Sequence, residues 1–128
     1  MSSLSRESVK VMVVDDAAFM RVVLKDILTA NGFQKLIEAG DGAAAINAYQ
    51  QHRPDLVTMD INMPGTDGIQ ALRSILQMNR AAKVVMVTSV EQKHIVQEAI
   101  KIGARDYIVK PFDRGMVATV LNRVLRSR

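Results

Sequence analysis

The chain has 128 residues, 48% of them hydrophobic and 23% charged, with a formal net charge of +4 and no cysteine. That is the size and composition of one globular domain with a full core, and the lack of cysteine excludes disulfides, thiolate catalysis and cysteine-ligated metal. Apart from Arg123, Arg126 and Arg128 the bases are scattered, as on a solvated face, so no direct nucleic-acid partner is expected.

The opening MSSLSRES is polar and lacks the apolar core of a secretory signal. Residues 1–8 are expected to form a flexible tail before a domain over 9–126, and the protein is expected to be cytoplasmic. Val9 to Val14 is a nearly continuous apolar run, a first strand, followed at once by Asp15 and Asp16. Met20, Val23, Leu24, Ile27 and Leu28 then recur at helical spacing until Asn31-Gly32. Lys35 to Ala39 is a short second strand, and Gly40-Asp41-Gly42 a turn that caps an Ala-rich helix over 43–51. Leu56 to Met59 is a β-branched, apolar third strand that ends on Asp60. Pro64-Gly65 turns the chain, and Asp67-Gly68 precedes a helical stripe of Ile69, Leu72, Ile75 and Leu76. Lys83 to Thr88 is a fourth strand, and Ile95, Val96, Ala99 and Ile100 a fourth helix closed by Gly103. Asp106 to Val109 is a fifth strand broken by Lys110-Pro111, and Met116 to Leu125 carries the last helical stripe.

This is a single-domain (βα)5 pattern. Strict alternation predicts an α/β fold: a doubly wound parallel sheet with helices on both faces and right-handed crossovers. The continuous apolar runs suit strands buried on both sides, and the Met residues on apolar stripes read as core filler. No run is long enough to span a membrane, so no membrane insertion is expected.

The notable polar residues all fall at carboxyl ends of strands: Asp15 and Asp16 after the first, Asp60 at the end of the third, Thr88 of the fourth and Lys110 of the fifth. In open parallel sheets that edge binds ligands. Each residue also has an ordinary reading. Asp60 could simply end a strand, Asp15 or Asp16 could cap a helix, Thr88 could be a β-branched strand residue, and Lys110 a surface lysine. Their coincidence on one edge is the signal. Carboxylates crowded at one rim repel, so one takes up a proton or a cation sits among them. All-oxygen ligation with room for water suits Mg2+. Cation, Lys110 and the Thr88 hydroxyl around a carboxylate make a site for a phosphoryl group, whose equatorial charge the cation and lysine offset. Asp60, the central carboxylate, is placed to attack and form an aspartyl phosphate.

The motifs VVDD at 13–16, MDINMPGTDG at 59–68, VTS at 87–89 and GARDYIVKPF at 103–112 resemble the receiver domains of two-component response regulators, in particular the single-domain chemotaxis regulators of the CheY type. The resemblance covers about Val9 to Leu125 and implies a flavodoxin-like fold with strand order 2-1-3-4-5. It implies that Asp60 is the phosphoacceptor, that Asp16, Asp60 and the backbone carbonyl of Asn62 hold Mg2+ with Asp15 acting through water, and that Lys110 contacts the phosphoryl oxygens beside a cis Lys110-Pro111 bond. Thr88 would swing toward the phosphoryl group and Tyr107 would turn inward, changing the surface of the fourth helix, fifth strand and fifth helix. Ser89 is small enough to admit the group, while Val90 and Asn62 occupy positions that influence its lifetime.

The implied function is a phosphorylation-activated switch, not a turnover enzyme, with self-phosphotransfer and autodephosphorylation only. Its implied donor is a histidine kinase. Its target would dock on the changed face, a flagellar switch protein being one candidate, and the protein is expected to be a monomer. A receiver cut from a longer regulator is an alternative. An aspartyl-nucleophile Mg2+ phosphatase of the haloacid-dehalogenase kind fits poorly: its nucleophile follows the first strand in a D-x-D pattern, whereas here Asp60-Ile61-Asn62 lacks the second acid. A flavin binder lacks its hydroxyl- and glycine-rich loop after the first strand. His52 and His94 read as solvated helix residues.

Overall fold

The computed structural model describes residues 5–63, 65 and 67–127. The first residues of the expected tail (1–4), Pro64 of the expected turn and Arg128 of the terminal basic cluster lie outside them. Strands β1 (Lys10–Val14), β2 (Lys35–Ala39), β3 (Leu56–Asp60), β4 (Val84–Thr88) and β5 (Asp106–Val109) alternate with helices α1 (Ala18–Ala30), α2 (Gly42–His52), α3 (Gly68–Met78), α4 (Lys93–Ile102) and α5 (Arg114–Arg126). The strands form one parallel sheet in the order β2-β1-β3-β4-β5. This is the expected flavodoxin-like arrangement, a single domain.

The period-2 alternation of the strands sorts their side chains onto two cores. Met12, Val57, Met59 and Met86 pack with Leu72, Ile75 and Ala99 of α3 and α4. Val11, Val13, Leu56 and Val85 pack with Leu24, Leu28, Val117 and Leu121 of α1 and α5. Both faces of the central strands are therefore dry, which is why their sequences run apolar without alternation. Most described methionines fill the first core, but Met116 is 57% exposed, beside β5.

Helix starts follow local chemistry. Asp41 accepts from the Ala44 N–H, Asp113 from the Met116 N–H, and Asp67 forms a capping box with Gln70. Most ends differ from the sequence reading by a residue or two, where helices fray. One feature has no periodic signal: a single 3₁₀ turn, Val90–Gln92, lies between β4 and α4.

The amino edge of the sheet employs four of the bases. The helices end there with unpaired carbonyls and the negative pole of the helix dipole. Arg6 donates to Asn31 O at 2.7 Å, Lys10 to His52 O at 3.2 Å, and Arg53 to Met78 O at 3.4 Å. Lys83 donates to the Leu125 and Ser127 carbonyls, both at 2.9 Å. Arg6 also bonds Asn122 and lies over the Phe33 ring, so this residue of the expected tail is docked on α1 and α5.

Candidate functional site

The opposite edge collects the predicted site residues. β1 and β3 are neighbours in register, with Val14 beside Met59. That pairing carries Asp15, which follows β1, to the level of Asp60, which ends β3. Carboxylate oxygens of Asp15, Asp16 and Asp60 lie within 4.8 Å of one another. Asp15 and Asp60 are buried, at 4% and 6% exposure, while Asp16 is exposed. Lys110, at the end of β5, reaches across β4: its Nζ is 2.8 Å from Asp15 Oδ2 and 3.7 Å from Asp60 Oδ1. The Lys110-Pro111 peptide is cis.

The ordinary reading of Asp15 and Asp16 as helix caps does not hold. The N-cap of α1 is Ala17, and no side chain bonds there. Asp15 Oδ1 instead accepts from the Ala17 N–H at 2.9 Å, fixing its own carboxylate. Among the described residues the Asp16 carboxylate has no hydrogen bond or ion pair. Both aspartates are thus free of the capping duty that occupies Asp41, Asp67 and Asp113.

Behind Asp60 the backbone is closely packed. The Gly68 N–H donates to Ile61 O at 3.1 Å. A Cβ on Gly68 would collide with the Asp60 carbonyl oxygen and sit 2.9 Å from Ile61 Cα. Only glycine allows α3 to begin so close to the loop that carries Asp60.

The electrostatics follow from this crowding. Burial first, and the Asp15 carboxylate next, push the Asp60 carboxyl up from 3.8 to about 6. Lys110 opposes the rise, Asp16 adds to it, and the Asn62 backbone N–H favours the charged form. Lys110 therefore compensates the cluster only in part. Three carboxylates with all-oxygen donors and a residual excess of negative charge fit a hard divalent cation such as Mg2+. The site opens as a cleft of about 460 Å³ lined by Asp15, Asp16, Ala17, Asp60, Asn62, Ser89, Glu91, Gln92 and Lys110. Glu91 and Gln92 belong to the 3₁₀ turn, and the sequence carried no signal for their presence at the rim.

Thr88 is 1% exposed, and its hydroxyl donates to Ser89 O at 2.9 Å rather than toward Asp60. Tyr107 is 37% exposed. On one side of it a groove of about 430 Å³ is lined by Lys93, Val96, Gln97, Ile100 and Lys101 of α4. On the other, a groove of about 390 Å³ reaches Met116, Val120 and Arg123 of α5. Lys93 and Lys101 place positive charge along the first of these grooves. Arg105 points to the far edge, bonding Ala81 O and Ser127 Oγ.

The model of the response regulator receiver domain matches residues 11–122. A chemotaxis protein CheY of Bacillus subtilis is 48% identical over 91% of this chain and 97% of its own length. One of Thermotoga maritima is 46% identical over 90% of this chain and 96% of its own. A solved CheX–CheY–BeF3–Mg2+ complex from Borrelia burgdorferi superposes with a TM-score of 0.88 at 35% identity, covering 93% of this chain and 90% of that one.

Proposed function

The chain belongs to the response regulator receiver domain family, and on that premise we propose that it is a phosphorylation-driven switch of the CheY type, with the receiver domain spanning 9–126. The observation that carries this reading is that Asp15, Asp16 and Asp60 cap nothing and instead converge within 4.8 Å beside Lys110.

Asp60 is the phosphoacceptor. One of its carboxylate oxygens attacks the phosphorus of a phosphohistidine, the P–N bond breaks, and the imidazole of a histidine kinase leaves. Asp16, Asp60 and the Asn62 backbone carbonyl would hold Mg2+, with Asp15 acting through water. When bound, the ion offsets charge on the transferring phosphoryl oxygens. Lys110 leaves Asp15 for the phosphoryl oxygens, to which it makes a charge-assisted bond. The Thr88 hydroxyl exchanges its Ser89 carbonyl partner for the same group. That movement empties space beside β5, and Tyr107 turns inward from its exposed position. The face formed by α4, β5 and α5 then presents a different surface to its target. The chemotaxis names of the similar proteins support a role in chemotaxis or flagellar motor control, with a flagellar switch protein as the target. The protein acts as a cytoplasmic monomer and as a switch whose only catalysis is on itself. Among the described residues no helix is long and apolar enough to cross a membrane.

The test is labelling with a small acyl or amidophosphate donor in Mg2+, read by mass. Wild type should gain one hydroxylamine-sensitive phosphoryl group, and Asp60→Asn none. Equal labelling of the two would refute the assignment.

A further inference from the structure

Arg21 of α1 is engaged in a way the proposed chemistry does not use. Its Nε donates to Glu38 Oε1 of β2 at 2.8 Å. Its Nη1 donates to the main-chain carbonyl of Asp15 at 2.6 Å. Asp15 is thereby held at every polar group it has. Its N–H donates to Ala39 O at 3.2 Å, its Oδ1 accepts from the Ala17 N–H, and its Oδ2 pairs with Lys110. The carbonyl that Arg21 holds belongs to the peptide unit joining Asp15 to Asp16. That unit is planar, so fixing the direction of its C=O fixes where the Asp16 Cα lies and constrains how its side chain leaves the backbone. Asp16 is exposed, and among the described residues no hydrogen bond or ion pair holds its carboxylate.

The anchor for Arg21 is itself fixed. Glu38 is in register with Val13 of β1, and its other oxygen is taken by Lys25 at 2.7 Å. Arg21 is the less exposed of the two cations, 19% against 31% at the side chain, so its bonds are less screened.

We propose that Arg21 is a positioning residue for the divalent-cation site, aiming Asp16 through the Asp15 carbonyl and tying the β1–α1 loop to the end of β2. The inference rests on the acidic cluster being the Mg2+ site, so its test separates the two. Mg2+ affinity is measured calorimetrically for wild type, Arg21→Met, Arg21→Lys and Lys25→Met, at a temperature where all are folded. Arg21→Met should bind Mg2+ about tenfold more weakly, as loss of a ligand's supporting partner does, with Arg21→Lys restoring part of the loss. Lys25→Met removes the other partner of Glu38 but no bond to Asp15, and should keep the wild-type affinity. In metal-free protein, the amide resonances of Asp16 and Ala17 should move in Arg21→Met and not in Lys25→Met. Labelling of Asp60 should need more Mg2+ in Arg21→Met yet reach the wild-type plateau. An Arg21→Met affinity equal to wild type would overturn the proposal. So would an equal loss in Lys25→Met, which would mean a general loosening of α1 on β2. If Arg21→Met does not fold, Glu38→Gln takes its place: it weakens the anchor and should lower affinity, and an unchanged value overturns the proposal. Wild type that binds no Mg2+ would instead remove the metal site itself.

Discussion

Replacing Asp60 by asparagine should make the metal-free protein more stable at pH 8, although it removes the residue on which the function depends. The carboxyl is raised from 3.8 to about 6, mainly by burial and then by Asp15. A group whose folded value is raised in this way holds its proton more tightly in the folded state. For an acid the charged form is then disfavoured by folding. The cost is fully present above the folded value near 6, shrinks as the pH falls through it, and is gone below the unfolded value of 3.8. An interval of about 2 pH units corresponds to about 3 kcal/mol. Asp60→Asn keeps the shape and removes the charge, so its advantage should approach that figure at pH 8 and fade toward pH 4. For 128 residues the entropy of unfolding converts about 3 kcal/mol into a Tm difference of about 10 °C. The assay is thermal unfolding of both proteins with a chelator from pH 4 to 8, followed by circular dichroism because the chain has no tryptophan. Mg2+ binds the folded wild type and should narrow the gap: about 10 mM ion at a roughly millimolar Kd contributes about 1.4 kcal/mol. Equal Tm values at pH 8 in chelator, or a gap that widens as the pH falls, would refute the argument.

Further outcomes can be checked on the same scaffold. Thr58 lies in β3 two residues before Asp60, and its hydroxyl is buried with no hydrogen-bond partner among the described residues. Thr58→Val should therefore raise stability in denaturant by about 1 kcal/mol, and a loss would mean that the hydroxyl is bonded, for instance by an ordered water. Thr88→Ala should leave Asp60 labelling largely intact but weaken the response of Tyr107, α4 and α5 in amide spectra taken with a beryllofluoride mimic. Shifts confined in wild type to the loops of Asp15, Asp60 and Lys110 would leave a phosphate site with no switch attached.

The sequence by itself determined the alternation of elements, the parallel sheet and the edge on which the polar residues lie. These follow from local information: continuous apolar runs for the strands, apolar residues at a period of 3.6 for the helices, and turn residues at the breaks. Once strands are parallel, every carboxyl end faces the same way, so Asp15, Asp16, Asp60, Thr88 and Lys110 had to share an edge. The strand order was legible only through the resemblance, because periodicity says nothing about which strands are neighbours. The tertiary structure decided what depends on distance and direction. It separated the aspartates that cap helices from those that converge, since Asp41 and Asp15 each precede a helix. It aimed Lys110 at Asp15, turned the Thr88 hydroxyl to Ser89, and sent Arg105 to the far edge. It set the Asp60 carboxyl near 6, because burial is a property of what packs around a residue rather than of its neighbours in the chain. It also joined Arg21 to Glu38, a pair separated by a helix and a turn, whose meeting is fixed by the register of β1 against β2.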